Sequence, residues 1–584
     1  MNINKYIKFS VIAGALALGM TSCDDFLDKP AEDQYNNDNF YADDSQCYQG
    51  VNYIYNSPWY DFQRGFIKVG EVMSGNMYWG SSPYLVFNIQ GTDEDLRNMS
   101  YSLWAVIGHA NQVYANVGKS SGPSQAVKNA VQGECLTLKA LAYFFLVRTF
   151  GDVPLIHDNS AELNSGTYND KYKVNKADIY EYIVMTLEKA MELLPKSADP
   201  GRIDYYCAEG LLAKVYLTRS GLGLNGSRNQ SDLDAAAKYA KDVIDNSGRK
   251  LLENYADVFR LANNKSEESL IAWRWTVSGS MWTRQNTLQS DLAPVGFDEN
   301  GDCWGGYGGP SVDLQDAFGV SPLDNPSTRI DVDTRRKACL MLPGDVYEYF
   351  WQDKGGFDVL KFCYDPVYGK GGPGLWQCGT GSYNVKNLFG NNYDHEVGTG
   401  VPAQRMANSL ATHILRLSDV YLIYAEAVLG NNASTSDAAA LDAFNTVRQR
   451  AIPTATPKTS ITFDDVWKER RLEFAGEGDR WYDYVRRSYY DMQSCIDELK
   501  NQRRNTYWNL DALYKYYYEN GIWDIALAGN QEGAGGEAVY DDQTPAPNVT
   551  ASSFTLPFPN EDVVFNKHLM EDPIHVDVRA EYSY

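Results

Sequence analysis

The sequence is poor in the residues that build metal and nucleic-acid sites. Its 584 residues hold six histidines with no H-E-x-x-H pair, and nine cysteines with no C-x-x-C. The first lack excludes a helix-borne zinc protease site, and the second argues against a zinc site held by thiolates. Basic residues are short as well: 52 Lys and Arg face 76 Asp and Glu, a formal charge of −24. Such a surface repels phosphate backbones and anionic headgroups, so no nucleic-acid partner is expected and neutral ligands are favoured. Beyond the N-terminus no apolar run approaches the ~20 residues that cross a bilayer. The one G-x-G-x-x-G stretch, Gly221 to Gly226, follows a helical pattern instead of a strand and so reads as a turn. Abundance makes paired carboxylates uninformative, because 76 acids give many chance pairs. What is plentiful is aromatic: 13% of the chain, with 42 Tyr and 13 Trp. These side chains join an apolar face to a polar tip, which suits large wet surfaces and stacking on sugar rings.

The N-terminus reads as an export signal. Lys5 and Lys8 precede the apolar run Phe9 to Met20, which is too short to span a membrane, and the small residues Thr21 and Ser22 lead to Cys23. The arrangement resembles a bacterial lipoprotein box, from which Met20 and Ser22 depart mildly. Residues 1–22 are therefore expected to be a lipoprotein signal peptide and Cys23 the lipidated residue, with each buried CH₂ of its acyl chains contributing ~0.8 kcal/mol of anchoring. Residues 23–50 are polar and read as a tether, leaving 51–584 as the main domain. The other eight cysteines allow 105 pairings and nothing selects among them; Cys135 and Cys207 lie in helical apolar patterns and read as buried thiols.

Helical periodicity runs through residues 103–117, 127–150 (ending at Gly151 before Pro154), 177–194, 205–218 and 233–246, then again through 414–429, 438–450 and 463–487. The expected fold is mainly α: a tetratricopeptide-like helical-repeat scaffold over about 100–250 and 406–487, without a strict 34-residue consensus. Residues 260–400 and 500–560, rich in Gly, Asn, Trp and Tyr, read as long irregular loops of the kind that carries function. Within VWKERRLEFAGEGDRWYDYVRR, the residues Glu469, Glu473 and Glu477 share a helical face beside Arg470 and Arg480, and Asp483 can reach Arg486 or Arg487. This spacing predicts an ion-pair lattice around a buried Trp481 and not a catalytic site.

The stretches PWYDFQRGF (58–66), NMYWGSSPY (76–84) and GDCWGGYGGP (301–310) place aromatics beside amide, carboxylate and guanidinium groups. A sugar needs an apolar platform under its C–H face and polar groups around its hydroxyls. The selection is Trp79 and Trp304 as platforms, Tyr78, Tyr307 and Tyr393 as rim aromatics, and Asp61, Asn76 and Arg64 as hydroxyl partners. Trp376 belongs to the same group of loop aromatics.

An ordered set of segments then carries a resemblance: CDDFLDKP, GECLTLKALAYFFLVRTFGDVPLI, GRIDYYCAEGLLAKVYL, HILRLSDVYLIYAEAV, LDAFNTVRQRA, VWKERRLEFAGEGDRWYDYVRR and LPFPNEDVVFNKHL. Together, from Cys23 to about Pro573, they are similar to the SusD-like (RagB/SusD) family of surface lipoproteins. The last eleven residues, IHVDVRAEYSY, depart from the usual family ending. The resemblance implies four tetratricopeptide-like repeats, central loops that carry the ligand site, and a non-catalytic role. It also implies a lipid-anchored, cell-surface place on the outer membrane, an oligo- or polysaccharide ligand and a SusC-like TonB-dependent transporter as partner. Asp24 and Asp25, just after the cysteine, look like a surface-export tag. No cofactor is expected, although an acidic surface offers room for a structural calcium. The rival readings are a peptide or glycopeptide importer component and a surface glycoside hydrolase.

Overall fold

A computed structural model describes residues 40–80, 82–277, 281–369, 373–528 and 547–584. The expected signal peptide, Cys23, Asp24 and Asp25 lie outside the described residues. The fold is mainly α, as the periodicity predicts. The tether is shorter than expected, because Asp44–Ile54 is already a helix, α1. Asp43 caps it by accepting the Gln46 amide, and Cys47, Val51 and Ile54, spaced along one face, are buried. Three buried positions in eleven are easily hidden by an Asn/Asp-rich composition.

The repeats begin with α2 (Glu94–Lys119) and α3 (Gln125–Phe150), followed by α4 (Lys176–Leu193), α5 (Tyr205–Arg219) and α6 (Gln230–Asn246). After a long excursion come α7 (Leu417–Leu429), α8 (Ala438–Ala451), α9 (Phe463–Phe474) and α10 (Arg480–Ser488). Each helix packs on the next: α2 on α3, α3 on α4, α4 on α5, α5 on α6, α6 on α7, and α7 on α8 and α9. Helices α6 and α7 are thus neighbours in one continuous stack although residues 247–416 intervene, the quasi-one-dimensional logic of a helical repeat.

Helix α3 qualifies the reading of apolar runs. By length and composition Gln125–Phe150 could cross a membrane, but it is buried inside the protein, with nearly every side chain from Ala130 onward covered. It is the central core helix, begun by the Ser124 cap and stopped at Gly151, whose φ of 75° no side chain adopts easily. The helix expected over 463–487 is in fact two, α9 and α10, separated at Gly476 (φ 82°) and Gly478 (φ 72°). A Cβ on Gly478 would lie 2.3 Å from the Phe66 ring, so the break also lets the backbone pass close to the core.

The excursion leaves and returns through one antiparallel ribbon. Strand β2 (Ser269–Trp273) pairs with β4 (Thr412–Arg416), with Ser269 opposite Arg416 and Trp273 opposite Thr412, so residues 274–411 form a loop closed at its base. Two-residue strands β1 (Met77–Tyr78) and β3 (Gly309–Pro310) join this loop to the segment before the repeats.

The charged motif of α9 and α10 forms the expected ion-pair lattice, although its main partners come from distant segments. Arg416 binds Glu477 through two bonds of 2.7 and 2.8 Å and reaches Glu473 at 3.0 Å and Glu268 at 2.7 Å. Glu473 also pairs with Arg335 at 3.2 Å and with Arg450, while Asp483 binds Arg470 and Arg486. Arg487 turns instead to Asp491 and Glu498. Flanking arginines hold the buried Glu473 and Asp483 carboxyls well below the usual range, outweighing the desolvation that pushes the other way. Trp481 is buried as predicted, against the rings of Phe87, Tyr484 and Phe554. All eight described cysteines are free and buried.

Candidate functional site

The loop bearing Trp304 owes its shape to glycines. A Cβ on Gly305 would lie 2.0 Å from the Asp291 carbonyl oxygen, and one on Gly306 equally close to the Gln377 side-chain oxygen. Only a bare backbone can lie this flat on residues 291–292. The result is an indole lifted to the surface: Trp304 is 40% exposed and Tyr307 66%.

Asp291, a buried side chain, organises the polar side. Its Oδ1 accepts the Trp304 indole N–H at 2.8 Å and an Arg64 Nη2 hydrogen at 2.8 Å, and its Oδ2 accepts Arg64 Nε at 2.9 Å. One carboxylate therefore fixes the ring and the guanidinium as a unit and leaves Arg64 Nη1 facing outward. These bonds raise the Arg64 pKa further.

Four residues along, Tyr60 is half-buried, and its hydroxyl accepts the indole N–H of Trp282, a ring 48% exposed. Burial raises the Tyr60 pKa, and the Trp282 hydrogen bond lowers it in part. Next to it the half-buried Asp61 has its carboxyl raised by desolvation. On the other side the β1–β3 pairing sets Tyr78 against Gly309. Trp79 is half-buried, with the Lys68 ammonium 5.2 Å above its ring.

The structure thus joins Arg64 and Trp304 through Asp291 and sets the Tyr78 backbone beside the loop that carries Tyr307, while Asp61 and Trp79 are half-buried nearby in sequence. Tyr393 is exposed at the start of the helix Asn392–Thr399, joined to the 298–304 loop by mutual Asn300 and Asn392 amide bonds of 3.1 and 3.3 Å. Asn76 does not belong: it is 1% exposed, its amide nitrogen donates to Glu71 and its oxygen accepts from Arg471, so it ties β1 to the scaffold. Trp376 is likewise interior, stacked 4.4 Å from Tyr383.

Three residues escaped sequence reasoning. Trp282, in the Ser/Gly-rich stretch VSGSMWTRQN, meets the criterion that singled out Trp304 and was within reach. Tyr60 sits in a quoted cluster. Asp291 carries no local signal, since its role exists only once the Trp304 loop folds onto it. Among the described residues Asp298, Asp302 and Cys303 bring possible metal-ligand atoms within 4.8 Å of one another. Two carboxylates and a thiol fall short of the six to eight oxygens calcium takes, so this set does not fit calcium.

With this geometry in view, the comparisons with known proteins agree. The SusD family profile matches residues 282–574, and a second profile, described as starch-binding associating with outer membrane, matches 25–217. A SusD-like protein of Bacteroides ovatus is 33% identical over 98% of this chain and 99% of its own. A SusD-like protein of Formosa agariphila, P2, is 25% identical over 66% of this chain and 70% of its own. A crystal structure with xylogluco-oligosaccharide superposes with a TM-score of 0.76 at 32% identity, covering 91% of this chain and 99% of the other. Surface glycan-binding protein A of Bacteroides thetaiotaomicron, solved with laminarihexaose, shares the fold at a TM-score of 0.62 and 19% identity, over 90% and 99% of the two chains. The chain belongs to the SusD family.

Proposed function

We propose that this protein is a non-catalytic glycan-binding lipoprotein, anchored through Cys23 at the outer-membrane surface, that captures oligo- and polysaccharides and passes them to a SusC-like TonB-dependent transporter. The observation that carries the reading is the Arg64–Asp291–Trp304 unit. It presents a partly exposed indole and an exposed guanidinium, pre-oriented by one buried carboxylate. Little ordering is left for the ligand to drive, which favours capture by a rigid platform. The solved relative at 32% identity that holds a xylogluco-oligosaccharide supports a glycan over a peptide. No cofactor enters this reading.

Affinity gel electrophoresis against a panel of plant and fungal polysaccharides tests it. The wild type should be retarded by at least one, and Trp304→Ala should run freely while keeping its melting temperature. Retardation unchanged in Trp304→Ala and in Trp282→Ala would overturn the site. Release of new reducing ends from the bound polysaccharide would overturn the non-catalytic reading. Co-purification of the transporter with the native protein from its own membranes checks the partner.

A further inference from the structure

A cavity of about 400 Å³ lies next to the segments that carry Tyr60 and Trp282. That volume lies within the range of small-ligand sites. Asn56 lines it immediately before the short helix Ser57–Phe62 that carries Tyr60. Thr276 lines it too, and its N–H donates to the Arg284 carbonyl at 2.8 Å, at the far end of the turn bearing Trp282. The cavity therefore adjoins the chain segments that carry Tyr60 and Trp282.

The cavity's chemistry differs from the rest of this acidic protein. Arg202, Lys265 and Arg274 line it, against a single acid, Asp199, exposed at the rim. Arg202 is already neutralised by the buried Glu134 at 3.0 Å. Arg274 is not paired. It is largely buried, and its guanidinium meets only neutral oxygens: the Gly201 carbonyl at 3.3 Å, the Asn264 carbonyl and the Ser269 hydroxyl at 3.4 Å. The lattice arginines, still more deeply covered, each have carboxylates. A covered cation without a counter-charge is costly unless an anion completes it. Consistent with this, burial lowers Arg274 to about 10, with no carboxylate to offset it. Gly201 brings the second charge close, since a Cβ there would meet the Lys265 stem at 3.1 Å and Arg274 Nε at 3.6 Å.

We infer that this cavity is an anion subsite which takes the carboxylate of an acidic sugar, with Arg274 and Lys265 as its cationic partners. The inference rests on the glycan-binding reading above: a neutral backbone lies on the platform and a uronate substituent turns into the cavity at the Trp282 end. A guanidinium with a lysine stem packed near it can match a carboxylate electrostatically. The ring that carries it finds Asn52, Asn56 and Asn264 on the walls.

Thermal-shift and tryptophan-fluorescence titrations with sodium glucuronate and galacturonate, each against its methyl ester, glucose and sodium sulfate at matched ionic strength, test the site. At least one uronate should give a saturable response, ten times weaker or absent for its methyl ester and for glucose. Lys265→Ala, an exposed position, should raise the dissociation constant at least threefold with the fold intact, and Arg274→Gln should abolish the response. Equal responses to acid and ester, an equal or stronger response to sulfate, no response to either uronate, or an unchanged response in Lys265→Ala would each overturn the subsite. Trp304→Ala should leave the uronate response intact. Loss of polysaccharide retardation therefore reports on the platform, and loss of the uronate response on the cavity.

Discussion

Arg416 and Arg64 make the same bond and serve opposite ends. Each grips one carboxylate with Nε and Nη2 at 2.7 to 2.9 Å, Arg416 on Glu477 and Arg64 on Asp291. In the lattice the arginine side chain is 1% exposed and Nη1 is also consumed, by Glu268, Ser418 and Glu473. On the platform the arginine is 51% exposed while its acid is buried. A pair closed on all sides fixes how α7 and α9 meet the base of the excursion. A pair closed only on its acid side holds a guanidinium rigid while leaving it donors for a ligand.

Breaking the closed pair should have the largest effect. Glu473→Ala leaves Arg335, Arg416 and Arg450 around a gap, and chemical denaturation should show a loss of about 3–5 kcal/mol. Glycan affinity of the folded fraction should not change. Acid comes next and separates the regions without mutation. The Glu473 and Asp483 carboxyls are held below their unfolded values, and burial holds His413 down at about 3. Groups depressed in the folded state contribute stability above their unfolded pKa and lose it as pH falls toward the folded one. The free energy of unfolding should therefore drop from about pH 6.5 down through pH 3, by on the order of 3 kcal/mol, as followed by chemical denaturation. Glu134, pushed up to about 7 by burial, acts in the opposite sense and loses its contribution as pH rises from about 4.5 to 7, so it offsets part of the His413 gain over that interval.

On the open side, Trp304→Ala and Trp282→Ala should each weaken polysaccharide binding tenfold or more, about 1.4 kcal/mol, with little change in melting. The smallest expected effect sharpens the comparison most. Asp291→Asn keeps the volume and one acceptor but releases the Arg64 charge, and calorimetry should show affinity down about threefold with stability nearly unchanged. A large loss of stability would mean that Asp291 is a lattice residue after all.

The repeat stack was legible because each helix buries a periodic stripe, and Val131, Leu138 and Phe145 can be seen in the letters alone. The α9–α10 break was not, since Gly476 and Gly478 sit within a strongly periodic charged run, and what packs on their left-handed backbone, Lys386 on Gly476 and Phe66 on Gly478, comes from distant segments. Among the site residues, Trp304 was legible from its glycines. Asn76 was misread because its type suits a sugar hydroxyl equally well as it suits Glu71 and Arg471. Arg274 gave no local sign, for what marks it is the absence of a carboxylate among its spatial neighbours.

The ribbon of β2 and β4 has a wider consequence. Because the chain departs for the loop region and comes back through adjacent strands, everything between is a cassette whose attachment points stay put however it is rewritten. Any exchange of residues 274–411 between relatives would cut the chain at two neighbouring positions in space, but would have to keep the Arg64–Asp291 and Arg335–Glu473 pairs that tie it to the frame.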